Sequence, residues 1–336
     1  MLRMARTARV LLLLTSLLAL FPALPGGAQE ATPAATPATP PTQPATGPGG
    51  MDYAYDRVVV TEHGEGAGGY VLFEPADPHG GGTPVTPAPV PIVLFLSACC
   101  ETDDLNDVTD NGAPWRAWID HLTRRGAVVV FPRFDPHDPM TGVATAVRSA
   151  LMELEGSGHP PTDPTRFVAV GHSFGAALVV QYATIAADRG LPVPVVLMPT
   201  APGEGGDPLG ATAEVPATTR LVVVVPEDDH QEMGREIWAG LAQIPADRKD
   251  FVEVRSDDHG TPPLIADHPM PATGLFGTLD ALDWYGTWKL LDALMACVFD
   301  GTWCEYALGN TPEQRFMGSW SDGIPVAEAL VTDDPA

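Results

Sequence analysis

The sequence has few basic residues: 18 Lys and Arg stand against 43 Asp and Glu, which gives a formal net charge of −25. A surface with this charge repels phosphate groups, so neither nucleic acid nor an anionic membrane is expected as a partner. Strong acidity of this kind is typical of a soluble protein outside the cell. The charge therefore indicates an extracellular environment but does not identify a ligand.

Cysteine is also scarce, with four residues in a chain of 336. None belongs to a Cys/His cluster with zinc-site spacing, so the sequence predicts no metal. Cys297 and Cys304 lie close together with Gly301 between them, which favours a local disulfide that closes a short loop. Cys99 and Cys100 are adjacent, and the sequence leaves open whether they form a strained bond or remain two thiols.

The N-terminal apolar run is too short for a comfortable membrane span, which needs roughly 20 residues. Arg3, Arg6 and Arg9 precede the run LLLLTSLLALF, and small residues follow it up to Ala28. This order predicts a signal peptide over residues 1–28, with an uncleaved anchor as the alternative. No cysteine follows the small residues, which argues against a lipid anchor. We therefore expect a secreted protein without stable membrane insertion after cleavage.

Residues 29–50 are rich in Pro, Thr and Ala and show no hydrophobic period. Such a segment cannot bury enough apolar surface to fold, so it is predicted to be a disordered linker. Residues 51–336 remain, and hydrophobic residues make up 45% of the chain, enough for a sizeable core. This length suits one large domain without internal repeats, which we expect to be a monomer.

Short apolar runs alternate with stretches of helical spacing along that domain. Strand patterns occupy residues 56–61, 69–73, 91–96, 127–131, 166–170, 192–198, 221–225 and 251–255. Helical patterns occupy residues 115–124, 141–154, 174–187, 236–241 and 278–298. The alternation predicts an α/β fold with a mostly parallel central sheet flanked by helices. Only loop-like composition separates the strands at 192–198 and 221–225, so no large cap domain is expected.

The motif Gly171-His172-Ser173-Phe174-Gly175 joins a predicted strand to a predicted helix. A serine hydroxyl must be exposed, oriented and deprotonated before it can act as a nucleophile. A sharp strand-to-helix turn exposes and orients it, and glycines two positions before and after avoid collisions across that turn. The helix N-terminus also directs backbone N–H groups toward a developing oxyanion. The alternative is a Gly/Ser turn in which Ser173 only caps the helix.

Two later loops offer partners for this serine. Glu227, Asp228 and Asp229 follow the strand at 221–225, and a carboxylate there could orient and stabilise a histidine. His259 follows the strand at 251–255 and is the expected general base. His268, in LIADHPMP, is the alternative base on a longer loop.

In this order, GHSFG, PEDD and DDHG resemble the α/β-hydrolase superfamily, over residues 56–298. Within it the chain is similar to capless esterases, such as dienelactone hydrolases, polyester hydrolases and, most closely, platelet-activating factor acetylhydrolases. In those families the acid commonly sits third after the residue that ends the strand. The resemblance therefore points to Asp229, with Asp228 as its competitor.

The resemblance also implies an oxyanion hole. Its first donor would be the backbone N–H of Phe174, and its second would come from the loop after residues 91–96. Relatives often carry His-Gly there, whereas this chain reads Ser-Ala-Cys-Cys at residues 97–100. By position the second donor is Cys99, with Cys100 as the alternate.

The expected activity is hydrolysis of carboxylic esters through an acyl-enzyme, with Ser173, His259 and Asp229 as the catalytic triad. No cofactor is required for this chemistry. Without a cap, the cleft would admit small-molecule or polymeric esters. The alternatives are an amidase, peptidase or thioesterase with the same triad, or a non-catalytic binding protein with this fold.

Overall fold

A computed structural model describes residues 37–79, 89–97, 108–110, 113–203, 212–274 and 276–335. The predicted signal peptide, residues 1–28, lies outside this part of the chain. Cys99 and Cys100 also lie outside it, so the question of their pairing and the predicted oxyanion role of Cys99 stay predictions.

Over the described residues the chain forms a nine-stranded sheet in the order β1-β2-β4-β3-β5-β6-β7-β8-β9. Its strands are β1 (Tyr55–His63), β2 (Tyr70–Pro78), β3 (Val90–Leu96), β4 (Val128–Pro132), β5 (Thr162–His172), β6 (Val196–Thr200), β7 (Arg220–Pro226), β8 (Lys249–Val254) and β9 (Leu330–Thr332). Strands β4, β3, β5, β6, β7 and β8 pair in parallel. The outer pairs β1/β2, β2/β4 and β8/β9 are antiparallel.

Helices cover both faces of the sheet. They are α1 (Arg116–Arg124), α2 (Pro139–Leu154), α3 (Phe174–Ile185), α4 (Glu232–Gly240), α5 (Lys289–Asp300), α6 (Cys304–Ala307) and α7 (Pro312–Arg315). A π-helical stretch, Leu282–Trp288, runs directly into α5. The predicted α/β class, with a mostly parallel sheet flanked by helices, is confirmed. In the described part of the chain, no helix combines the length and apolar character that a bilayer span requires.

Two hydrophobic cores result from the alternation of side chains along the strands. In β3, Val93 and Phe95 face one core, which α1 and α5 cover. Ile92 and Leu94 face the other core, which α2, α3 and α4 cover. A parallel strand buried on both faces must be apolar at nearly every position, which explains the continuous run PIVLFL.

The folded region begins earlier than the predicted boundary at residue 51. Its compact unit starts at Pro37. Ala38 is buried and its carbonyl accepts a hydrogen bond from the Thr261 amide at 2.8 Å. Gly49 N–H donates to the buried carboxylate of Asp292 at 2.8 Å. Residues 37–50 therefore belong to the domain, because distant parts of the chain supply the backbone partners that this Pro-rich segment cannot form with itself.

The predicted disulfide between Cys297 and Cys304 is confirmed and joins the last turn of α5 to the start of α6. Gly301 ends α5 in the left-handed conformation with φ 68°, which glycine adopts at little cost. Beyond the disulfide, the chain passes through α7 and returns to the sheet as β9. The C-terminal stretch thus completes the edge of the sheet next to β8.

Candidate active site

Ser173 occupies the sharp turn between β5 and α3. Its backbone has φ 58° and ψ −121°, a conformation that costs a non-glycine residue roughly 1–3 kcal/mol. The Ser173 N–H donates to the carbonyl of Thr200 in the neighbouring strand β6 at 3.1 Å. The turn therefore holds the serine at the carboxyl end of β5, where its side chain is partly exposed.

The two flanking glycines are required by space. A Cβ at Gly171 would overlap the carbonyl oxygen of Gly175, and a Cβ at Gly175 would overlap the carbonyl oxygens of Leu96 and Ser97. Neither glycine has a φ in the left-handed region, so each serves close approach of backbones and not an unusual conformation. The G-x-S-x-G pattern thus follows from packing of the turn against the end of β3.

A histidine and an aspartate complete a hydrogen-bonded series at this serine. His268 Nε2 lies 2.8 Å from Ser173 Oγ, and His268 Nδ1 lies 2.7 Å from Asp229 Oδ2. An ionised carboxylate only accepts, so the ring proton belongs on Nδ1 and the Ser173 hydroxyl donates to Nε2. This is the tautomer in which the imidazole can take the serine proton.

Asp229 is held by the loop that follows β7. Its side chain is 8% exposed, and its second oxygen, Oδ1, accepts the His230 N–H at 2.7 Å. Asp228 faces elsewhere: its carboxylate accepts the Ser256 hydroxyl at 2.6 Å, and its N–H donates to the carbonyl of Ala266 at 2.9 Å. Of the two candidate acids, Asp229 therefore contacts the histidine, while Asp228 ties the acid loop to the segment that carries His268.

His259, the expected base, does not occupy this place. After β8 the chain makes an excursion closed by paired hydrogen bonds between Asp257 and Leu264, both 2.9 Å, and His259 lies within it. His259 Nε2 lies 2.8 Å from a carboxylate oxygen of Asp322, and its ring lies 5.7 Å from that of Trp320. Because the Asp257–Leu264 bridge encloses His259 in this excursion, His259 does not reach Ser173. The alternative histidine, His268, follows the excursion and lies beside the serine.

Positive electrostatic potential at the start of α3 lies next to the serine. Phe174 is the first residue of α3, and the first N–H groups of a helix have no acceptor within the helix. The Ala176 N–H donates to the Ser173 carbonyl at 3.0 Å, which closes the first turn. Because Phe174 is the first residue of α3, its amide N–H is a candidate oxyanion donor. Its predicted partner, Cys99, lies outside the described residues.

Gly203 lies directly against the nucleophile. A Cβ at this position would lie 2.7 Å from Ser173 Oγ and 3.4 Å from His268 Cε1. The φ of Gly203 is not in the left-handed region, so the backbone alone would accept a side chain. The absence of a side chain at position 203 therefore avoids steric overlap with the serine oxygen, a feature that the sequence motifs did not indicate.

A cavity of 230 Å³ adjoins the segment that carries His268. Asp267 and Pro269, the two neighbours of His268, both line it. Two large apolar residues on its wall, Ile265 and Phe276, are each 47% exposed. Burial, together with the nearby carboxylates on the acid loop, raises the pKa of Asp267 above its usual value. The histidine is thus bordered by a largely apolar recess.

The geometry permits proton transfer from Ser173 to His268, with the Asp229 carboxylate stabilising the imidazolium that forms. No group of three or more His, Cys, Asp or Glu side chains in the described ranges is arranged to hold a metal ion. The chain matches no protein-family model, and a search of curated proteins returned no match.

Proposed function

We propose that the protein is a secreted serine hydrolase with the α/β-hydrolase fold, which cleaves carboxylic esters through an acyl-enzyme. The observation that carries the proposal is the hydrogen-bonded series Ser173–His268–Asp229. The serine occupies a strand-to-helix turn, and the residues follow the chain order serine, acid, histidine that accompanies this motif. The Ser173 side chain makes no capping hydrogen bond to α3 among the described residues, which supports the proposal over a serine that merely caps the helix.

The proposed reaction begins with attack of Ser173 Oγ on the ester carbonyl carbon, while His268 Nε2 takes the hydroxyl proton. Negative charge on the tetrahedral oxygen accepts a hydrogen bond from the Phe174 N–H and, on our sequence prediction, from that of Cys99. The intermediate expels the alcohol, which receives its proton from His268. Water then attacks the acyl-enzyme with His268 as base, and release of the acid regenerates Ser173.

Esters are the proposed substrates because the GHSFG and PEDD motifs resemble those of capless esterases. The recess beside His268, with the exposed side chains of Ile265 and Phe276 on its wall, offers an apolar surface to an acyl or alcohol group. Export is supported by the composition of residues 1–28 and by the Cys297–Cys304 disulfide, a bond typical of oxidising compartments.

The test is hydrolysis of nitrophenyl esters by the chain without residues 1–28, together with labelling by a fluorophosphonate. Ser173→Ala should abolish labelling, and both Ser173→Ala and His268→Ala should lower kcat by at least about 10³-fold, because each removes one partner of the proton transfer. His259→Ala is the matched control and should keep kcat within about threefold of the parent.

The opposite pattern, loss of turnover in His259→Ala and retention in His268→Ala, would contradict the assignment of the base. A parent that neither labels nor hydrolyses any ester would contradict the enzymatic proposal and favour a binding protein. Anilides and thioesters of the same acyl groups, measured in parallel, separate an esterase from an amidase or a thioesterase.

A further inference from the structure

A second hydrogen-bonded series lies behind the proposed triad. His172 directly precedes the serine in the elbow, and its Nε2 lies 2.9 Å from the backbone carbonyl oxygen of His268. On the other side of the ring, the indole N–H of Trp115 donates to His172 Nδ1 at 3.3 Å. His172 and Trp115 are 3% and 2% exposed. His172, which precedes the proposed nucleophile, is therefore hydrogen-bonded to the main chain of His268, the proposed base.

The proton positions in this series follow from donor and acceptor chemistry. An indole nitrogen only donates, so His172 Nδ1 must accept, and the single ring proton of the neutral imidazole lies on Nε2. A carbonyl oxygen only accepts, which matches an Nε2–H donor facing His268. Burial lowers the pKa of His172 to about 3, so the ring stays neutral near neutral pH. Both neighbours thus select the same tautomer.

The backbone of His268 needs such an anchor because no strand holds it. His268 lies on a loop after β8, within a turn that the Met270 N–H closes on the Asp267 carbonyl at 3.0 Å. On its N-terminal side, this loop is bonded to other segments at Ala266, which accepts from Asp228 N–H at 2.9 Å and donates to Ser256 Oγ at 2.8 Å. Further along, the Thr273 N–H donates to the Pro114 carbonyl at 2.6 Å. The bond from His172 is made at the base residue itself.

We propose that His172 and Trp115 are positioning residues that hold the main chain of His268 so that its imidazole stays within hydrogen-bond distance of Ser173. The inference rests on the proposed function. Neither side chain contacts the reacting atoms. Their effect is transmitted through the His268 carbonyl, and a displacement of about 1 Å at a base can lower a rate by about 10²-fold.

Steady-state kinetics on four variants tests this role. His172→Leu removes the donor and should lower kcat about 100-fold with KM within about threefold, because the base moves while the substrate space is kept. His172→Gln places an amide N–H near the Nε2 position and should recover at least about tenfold of that loss. Trp115→Phe removes the indole donor and should lower kcat about tenfold.

Trp118→Phe is the matched control. Trp118 lies one turn away in α1, is 1% exposed, and its indole N–H has no hydrogen-bond partner among the described residues. The same change there removes similar volume but no hydrogen bond, so kcat should stay within about twofold of the parent. Equal losses in Trp115→Phe and Trp118→Phe would overturn the proposal, as would a His172→Leu enzyme with the kcat of the parent.

A measurement that does not need turnover separates this proposal from the proposed function. In the parent, the proton on His268 Nδ1 should give a downfield NMR signal from its hydrogen bond to Asp229. That signal should weaken or vanish in His172→Leu and persist in Trp118→Phe. An inactive parent with this pattern would reject the hydrolase and retain the positioning role. An unchanged signal in His172→Leu would reject the positioning role.

Discussion

At the scale of single residues, Gly203 is the position where one methyl group should matter most. A Cβ there would lie 2.7 Å from Ser173 Oγ and 3.4 Å from His268 Cε1, closer to the oxygen than real Cβ atoms come. Gly203→Ala should therefore lower kcat/KM for nitrophenyl esters by about 10²-fold or more, because the methyl group would displace the Ser173 hydroxyl from its place beside His268.

The stability of the same variant provides the control. Since the φ of Gly203 lies outside the left-handed region, an alanine is compatible with the backbone, and the free energy of unfolding should fall only by the cost of the contact with Ser173 Oγ, at most about 3 kcal/mol. A Gly203→Ala protein with parental kcat/KM would show that the methyl group does not displace the Ser173 hydroxyl.

The histidine that lies beside Ser173 shows why side-chain positions were harder to predict than strand positions. His259 and His268 each follow an aspartate and each come after β8, so local sequence does not separate them. What separates them is the bridge between Asp257 and Leu264, which encloses His259 in the excursion. That bridge forms between backbone groups and has no motif. The carboxylate beside His268 was predicted more closely, because both candidates, Asp228 and Asp229, lie within three residues of the end of β7 and the family resemblance favours Asp229.

At the scale of elements, the buried strands were predicted best. Residues 91–96, 127–131 and 221–225 lie almost entirely within β3, β4 and β7, since strands buried on both faces must be continuously apolar. The strand predicted at 192–198 is shifted, with β6 at Val196–Thr200, because Pro-rich sequence obscures its start. The helix predicted over 278–298 begins instead with the π-helical stretch Leu282–Trp288, whose i→i+5 hydrogen bonding a search for the 3.6-residue period of an α-helix does not detect.

Two aspartates at the start of that helical segment make its stability depend on pH. Asp280 Oδ1 accepts the Leu282 N–H at 2.8 Å, and Asp283 Oδ2 accepts the Asp280 N–H at 2.9 Å, an arrangement like a capping box. Burial, with a smaller contribution from Asp267, raises the pKa of Asp280 to about 6 from 3.8. Burial also raises the pKa of Asp283 well above its usual range.

The sign of the Asp280 effect follows from its raised pKa. The folded state binds the proton more tightly, so this contribution to stability is fully present below about pH 4 and is lost as pH rises through about 6. Asp280→Asn keeps the acceptor for Leu282 and does not titrate. Its free energy of unfolding relative to the parent should therefore rise by about 2 kcal/mol between pH 4 and pH 7, measured by urea denaturation.

A second aspartate variant controls for a general loss of negative charge. Asp163 accepts hydrogen bonds from the side chain and backbone of Thr165, which lower its pKa. Asp163→Asn removes the same charge from a site with the opposite pKa shift, so its unfolding free energy relative to the parent should not rise over that range. If the difference in unfolding free energy between Asp280→Asn and the parent did not change between pH 4 and pH 7, this result would contradict a raised pKa of Asp280.

At the scale of the whole molecule, residues 37–50 connect parts of the fold that are far apart in sequence. Thr39 exchanges hydrogen bonds with Ser321, its N–H donating to the hydroxyl at 2.9 Å and its carbonyl accepting from the Ser321 N–H at 3.0 Å. At the other end of the segment, Gly49 donates to Asp292, whose carboxylate also contacts His121 at 2.9 Å. Composition alone predicted a linker, because it records the lack of local structure and cannot reveal partners about 280 residues away.

Two shortened chains separate a linker from a structural segment. A chain that begins at Pro37 keeps every contact of the segment described here and should unfold at the same urea concentration as the chain without residues 1–28. A chain that begins at Met51 removes the Gly49 partner of buried Asp292 and exposes the surface beneath Ala38. Its free energy of unfolding should fall by about 2–4 kcal/mol.

Ester turnover distinguishes global from local consequences of this truncation. Gly260, in the excursion after β8, lies between Trp320 and the Ala38 carbonyl with no room for a side chain, so loss of Ala38 loosens the loop that leads to His268. The chain that begins at Met51 should therefore lose kcat at temperatures where it is still folded, while the chain that begins at Pro37 should not. Equal stability and equal kcat in both chains would mean that residues 37–50 only lie on the surface of a domain that is complete without them.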